Sequence, residues 1–99
     1  MAAEWWSIEV LNGRTSATTW RDAHQSALVE SAVTHGVLAW EWHTFNWGVV
    51  FEVAFADERR WESWYRLPGV RAALDAVPDP VSGLLVHRGR GGACGTCLP

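Results

Sequence analysis

The stretch WEWHTFNWGVVFEV, Trp40 to Val53, alternates large apolar residues with charged ones on either side of a short turn-like break. Side chains of a strand point to opposite faces in turn, so the pairing register decides which residues share a face. A hairpin loop of two residues (Asn46, Trp47) or of four (Phe45 to Gly48) produces one and the same register. Trp40 then opposes Val53, Glu41 opposes Glu52, Trp42 opposes Phe51, His43 opposes Val50 and Thr44 opposes Val49. One face is almost entirely apolar and the other carries the polar groups. A three-residue loop would mix Trp with Glu on both faces, so an even loop is expected.

The rest of the chain extends this hairpin. WWSIEVL, Trp5 to Leu11, alternates up to Asn12-Gly13 and reads as a first strand. Ser16, Thr18 and Thr19 offer helix caps, Asp22 lies three residues after Thr19 as in a capping box, and the segment from about Thr19 to His35 lacks Gly and Pro, which predicts a helix closed by Gly36. Val37 to Thr44 and Val49 to Phe55 are the hairpin strands. Asp57 caps a second helix from Glu58, interrupted at Pro68-Gly69 and resumed with Val70, Ala73, Leu74 and Val77 as far as Pro78. DPVSG, Asp79 to Gly83, is a turn, and Leu84 to Arg88 is a fourth strand.

The order is β-α-β-β-α-β, which predicts an α+β, ferredoxin-like domain: a four-stranded antiparallel sheet with both helices on one face. That fold arranges its strands 4-1-3-2. Residues 1–90 form the expected single domain, and residues 91–99 a flexible Gly/Cys tail.

The helices are expected to cover Trp6, Ile8, Val10, Trp40, Trp42, Phe51, Val53, Phe55, Leu84 and Val86, because burying the alternate Glu residues beneath them would cost too much. Trp20, Ala27 and Leu28 of the first helix and Trp61, Trp64, Tyr65, Leu74 and Val77 of the second are the matching residues. Filling a core is therefore the expected task of most of the eight tryptophans. Trp5 and Trp47 are not assigned by parity. His24 and His35 read as a core and a capping histidine.

The other face is expected to be uncovered and to carry Glu9, Glu41, His43, Glu52 and His87, with Ala39, Val50, Ala54 and Leu85 between them. An apolar strip on such a face suggests a partner. Glu41 directly opposite Glu52 is its sharpest feature, since like charges across a strand pair repel. In an enclosed site such a pair raises one carboxyl pKa, which makes Glu41, His43 and Glu52 candidate acid–base residues. Glu9, Val50, Leu85, His87 and Trp47 are candidate ligand contacts. Two His and three Glu could supply a two-His-one-carboxylate metal set, but they come from separate strands without a local signature, so neither metal nor cofactor is expected. Cys94 and Cys97 form a CxxC near the C-terminus, a weak metal candidate because no helix or further ligand accompanies it.

Composition narrows the classes further. The chain has 99 residues, 48% hydrophobic, and a net charge of −3 with eight basic residues, all Arg, so no basic footprint for nucleic acid is present. There is no apolar run long enough to span a membrane and no signal-peptide core, so a cytoplasmic location with reduced cysteines is expected. No Ser-His-Asp set, P-loop, GxGxxG or HExxH occurs.

The segments WEWHTFNWGVVFEVAF and LPGVRAALDAVPDPVSGLLVHRGRGG resemble a small, Trp-rich, uncharacterised bacterial family with a ferredoxin-like pattern, over about residues 5 to 92. LPGVRAAL ahead of the fourth strand is distantly similar to the dimeric α+β barrel superfamily. That resemblance implies two sheets meeting face to face around a cavity, in proteins that include cofactor-free monooxygenases, haem-degrading enzymes, isomerases and stress-response proteins. The haem-degrading pattern places a His on the second helix, and this chain has none there. The leading expectation is a homodimer, joined through the uncovered face, that binds a small apolar or aromatic molecule. The alternatives are a cofactor-independent oxygenase, isomerase or cyclase, and a scaffold protein without a pocket.

Overall fold

The computed structural model describes residues 3–90. The elements are β1 (Glu4–Leu11), α1 (Ala17–Thr34), β2 (Ala39–Phe45), β3 (Gly48–Phe55), α2 (Glu58–Tyr65), α3 (Pro68–Asp75) and β4 (Leu84–Arg88). The four strands form one antiparallel sheet in the order β2-β3-β1-β4, with β1 and β3 at its centre. The tail holding Cys94 and Cys97 lies outside the described residues.

The hairpin closes over two residues, Asn46 and Trp47, and its register is the one that parity demands: Trp40↔Val53, Glu41↔Glu52, Trp42↔Phe51 and His43↔Val50. α1 starts two residues before the expected Thr19. Ser16 is the cap, its Oγ accepting the Thr19 N–H at 3.2 Å, and Asn12 Oδ1 accepts the Ala17 N–H at 2.8 Å. Two side chains thereby satisfy donors that the first turn leaves open. β2 begins at Ala39, not Val37. The second helical segment is two helices, because Pro68 has no N–H to continue α2 and instead opens α3.

The core lies between the sheet and the helices. Trp6 stacks on Trp61 at 5.1 Å, Trp42 stacks on Phe51 at 4.0 Å, and Trp64 packs edge-on to Phe51 at 6.2 Å. The buried indole N–H groups of Trp20 and Trp64 have acceptors, Ala73 O at 2.8 Å and Ser31 Oγ at 2.9 Å, whereas Trp42 Nε1 is buried without a hydrogen-bond partner among the described residues.

Two expected core residues are not there. Trp40 is on the helix side of the sheet, but 41% of its surface is exposed. β2 is an edge strand and α1 packs over β3, so the helix only flanks Trp40. Ala27 is also exposed. The inward stripe of α1 runs through Ala17, Trp20, Leu28 and Ala32.

Candidate functional site

Sheet pairing builds the site on the face away from the helices. Reading across β2-β3-β1-β4, one row holds His43, Val50, Glu9 and Leu85, and the next holds Glu41, Glu52, Ser7 and His87. Each central strand thus supplies one carboxylate and each edge strand one imidazole. His43 is the diagonal neighbour of Glu52, and His87 is the diagonal neighbour of Glu9, so the two Glu–His pairs occupy equivalent places in the two halves of the sheet.

This face is not the uncovered surface that the sequence suggests. Glu9 and Ser7 are 0% exposed, Glu52 is 2% exposed, and Val50 and Ala54 are buried in the single chain. Buried carboxylates need charge-assisted partners. His43 Nε2 lies 2.9 Å from Glu52 Oε1, within hydrogen-bond distance. Arg90 donates to the same oxygen through Nε at 3.2 Å and Nη2 at 3.0 Å, and Nη2 also donates to Glu41 Oε2. The guanidinium therefore bridges the two carboxylates that face each other across β2 and β3. It also lies 4.0 Å from the ring centroid of Trp5, which places that tryptophan as a cation–π platform on this face. The Glu52 hydrogen bond, ahead of the contact with Glu41, raises the Arg90 pKa above its ordinary value.

The second pair is looser. His87 Nε2 stands 3.6 Å from Glu9 Oε1, beyond a hydrogen bond. Ser7 Oγ, between the two pairs, donates to Gly89 O at 2.6 Å. At the turn, Trp47 stacks on Phe45 at 4.7 Å with nearly parallel rings, and Phe45 is 6.3 Å from the ring of His43. The turn tryptophan that parity leaves unassigned thus extends the polar cluster with an aromatic surface.

Of the candidate residues, the fold brings Glu41, His43 and Glu52 together, with one donor atom from each within 4.8 Å of the others. Glu9, His87 and Leu85 belong to the other half of the face, and Val50 is buried between them. Trp5 is the member that sequence reasoning does not select, and of Arg88 and Arg90, the two residues it offers for charge balance on this face, Arg90 is the one that reaches Glu41 and Glu52. Arg90 follows β4 in a Gly-rich stretch and reaches Glu41 across the sheet, a placement only the strand order reveals. Trp40 is a further unselected residue: with Trp42, Val29, Gln25, Ser26 and Glu30 it lines a groove of about 350 Å³ on the helix side.

Arg90→Ala is expected to destabilise the chain by about 1 kcal/mol, since the Arg90 side chain is 47% exposed and screened. The loss comes from two facing carboxylates left without their shared cation. Urea denaturation at low and high salt checks this, with a smaller loss expected at high salt.

The fold is ferredoxin-like. A dimeric ferredoxin-like protein of unknown function from Jannaschia sp. CCS1 matches with a TM-score of 0.73 at 12% identity, over 90% of this chain and 99% of that one. A second dimeric ferredoxin-like protein of unknown function, from Thermobifida fusca, matches with a TM-score of 0.64 at 12% identity, over 90% and 92% of the two chains. A Mycobacterium tuberculosis protein matches with a TM-score of 0.55 at 10% identity, over 87% and 90%. The sequence matches no protein-family model and no curated protein. The likeness agrees at the level of fold with the distant resemblance drawn from the hairpin and the LPGVRAAL segment. Among the described residues no helix is long and apolar enough to cross a membrane.

Proposed function

We propose that this protein is a homodimer that binds a small apolar or aromatic molecule on the sheet face carrying the two Glu–His pairs. The observation that carries the reading is the Phe45–Trp47 stack, an aromatic platform beside His43 and the buried Glu52. Stacked rings offer a flat apolar ligand a large contact area, and the adjoining imidazole and carboxylates orient its polar edge. The half-exposed side chains of Glu41 and Arg90 form the rim at which ligand and second copy meet. Two structural neighbours are dimeric, which favours the second copy. Leu85 and His87 line the other half of the same face, beside the buried Glu9.

Sedimentation velocity should show a dimer at micromolar concentration. Fluorescence titration with 1-anilinonaphthalene-8-sulfonate should show saturable binding that Trp47→Ala weakens about tenfold, as removal of a stacking anchor does. A monomer whose probe binding ignores Trp47→Ala would defeat the proposal.

A second reading is favoured by the 2.9 Å contact between His43 Nε2 and Glu52 Oε1. A buried carboxylate that orients an imidazole is the arrangement of a general base, and a cofactor-independent isomerase or oxygenase of the α+β barrel type would use it to take a proton from its substrate. Under this reading Glu52→Gln and His43→Asn abolish turnover yet keep probe binding. Retained turnover removes it.

A further inference from the structure

We infer that Glu41, His43 and Glu52 form a divalent-cation site for which the Arg90 guanidinium competes. The three side chains supply two carboxylates and an imidazole, the donor types that manganese and related ions prefer, and a donor atom of each lies within 4.8 Å of the others. The tightest pair, His43 Nε2 and Glu52 Oε1, is 2.9 Å apart. Two ligands bound to one ion at about 2.1 Å and a right angle are about 3 Å apart, so this edge needs no rearrangement.

Glu52 is held by a central strand and is buried, which fixes one ligand in place. Glu41 projects from the edge strand with half its side chain exposed, so it can swing the short distance that closes the set. The guanidinium of Arg90 already lies between the two carboxylates. Its Nη2 donates to both Glu41 Oε2 and Glu52 Oε1, and its Nε donates to Glu52 Oε1 as well. The sheet forces these two carboxylates opposite each other and so creates a point that calls for positive charge. Arg90 has one charge and is half exposed, whereas a divalent ion brings two and gains the imidazole as well. Entry of the ion moves the guanidinium outward, where Trp5 still receives it.

The inference stands apart from the ligand reading, for it requires neither a second copy nor the aromatic platform. The test is a Mn²⁺ titration of the full chain followed by water-proton relaxation. Mn²⁺ is a hard ion, so Cys94 and Cys97 do not compete for it. We expect one ion per chain, binding about tenfold tighter in Arg90→Ala and at least about tenfold weaker in Glu41→Gln and in His43→Ala. Trp47→Ala, which tests the ligand reading, should leave Mn²⁺ binding unchanged. Glu41 and His43 lie on an edge strand and circular dichroism verifies that their variants stay folded. Absence of binding at millimolar Mn²⁺ in both the native chain and Arg90→Ala would overturn the inference. So would Glu41→Gln and His43→Ala chains that bind the ion as the native chain does.

Discussion

Trp64→Ala is expected to lower the stability of the chain by about 3–5 kcal/mol, a large part of what a domain of this size possesses. Trp64 is fully buried and touches the rings of Phe51, Phe55 and Trp61. Its indole N–H also donates to Ser31 Oγ, and this bond ties α2 to α1. Truncation therefore opens a cavity at the junction of sheet and helices and removes the donor to Ser31 Oγ, which keeps only its own bond to Leu28 O at 3.0 Å. Trp40→Ala is the informative contrast. Trp40 is 41% exposed on an edge strand, so its loss is expected to be about 1 kcal/mol or less. Urea denaturation midpoints of the two variants distinguish them. Equal losses would mean that the aromatic core is not where the sheet places it.

Gly48→Ala is expected to cost about 3 kcal/mol or more, at the upper end of what overpacking produces. A Cβ at Gly48 would lie 2.1 Å from Val10 O and 2.9 Å from Leu11 Cα. These are backbone atoms of the central strand β1, and they have no side-chain freedom with which to yield. Relief would require β3 to part from β1 at the Leu11↔Gly48 pair, next to the Asn12 N–H···O=C bond to Trp47 at 2.9 Å. Gly69→Ala is the control. A Cβ there meets nothing within 4 Å, and the residue lies in α3, so the change should be neutral or stabilising by up to about 1 kcal/mol. Thermal melts of the two single variants decide the matter; a Gly48→Ala chain as stable as the native one would contradict the observed approach of β3 to β1.

The hairpin was readable because a strand has a period of two. Once Trp40, Trp42, Phe51 and Val53 had to share a face, Glu41, His43 and Glu52 had to share the other, and the register followed. Prolines and caps placed the helices nearly as well. Where the reading erred, nearness in space overruled pattern. Of the three caps that the sequence offers, Ser16, Thr18 and Thr19, it is Ser16 that, with Asn12, reaches the free N–H groups, so the Thr19–Asp22 box does not open the helix. Trp40 has the parity of a core residue, but an edge strand extends past the helix that would cover it. The second face looked open because half of its residues are polar, yet Glu9, Ser7 and Glu52 are buried with partners within reach.

By itself the sequence determined the α+β class, the strand pairing of the hairpin and the separation of apolar from acidic residues, because each of these depends on local periodicity. Tertiary structure alone decided which polar residues meet. It laid Arg90, which follows the last strand, between Glu41 on the far edge and Glu52 at the centre. It set the His43–Glu52 and His87–Glu9 pairs in equivalent halves of one sheet, and it laid Trp47 on Phe45. Such contacts join residues far apart in the chain, 49 positions for Glu41 and Arg90 and farther still for Glu9 and His87, and no local rule of alternation or propensity spans such distances.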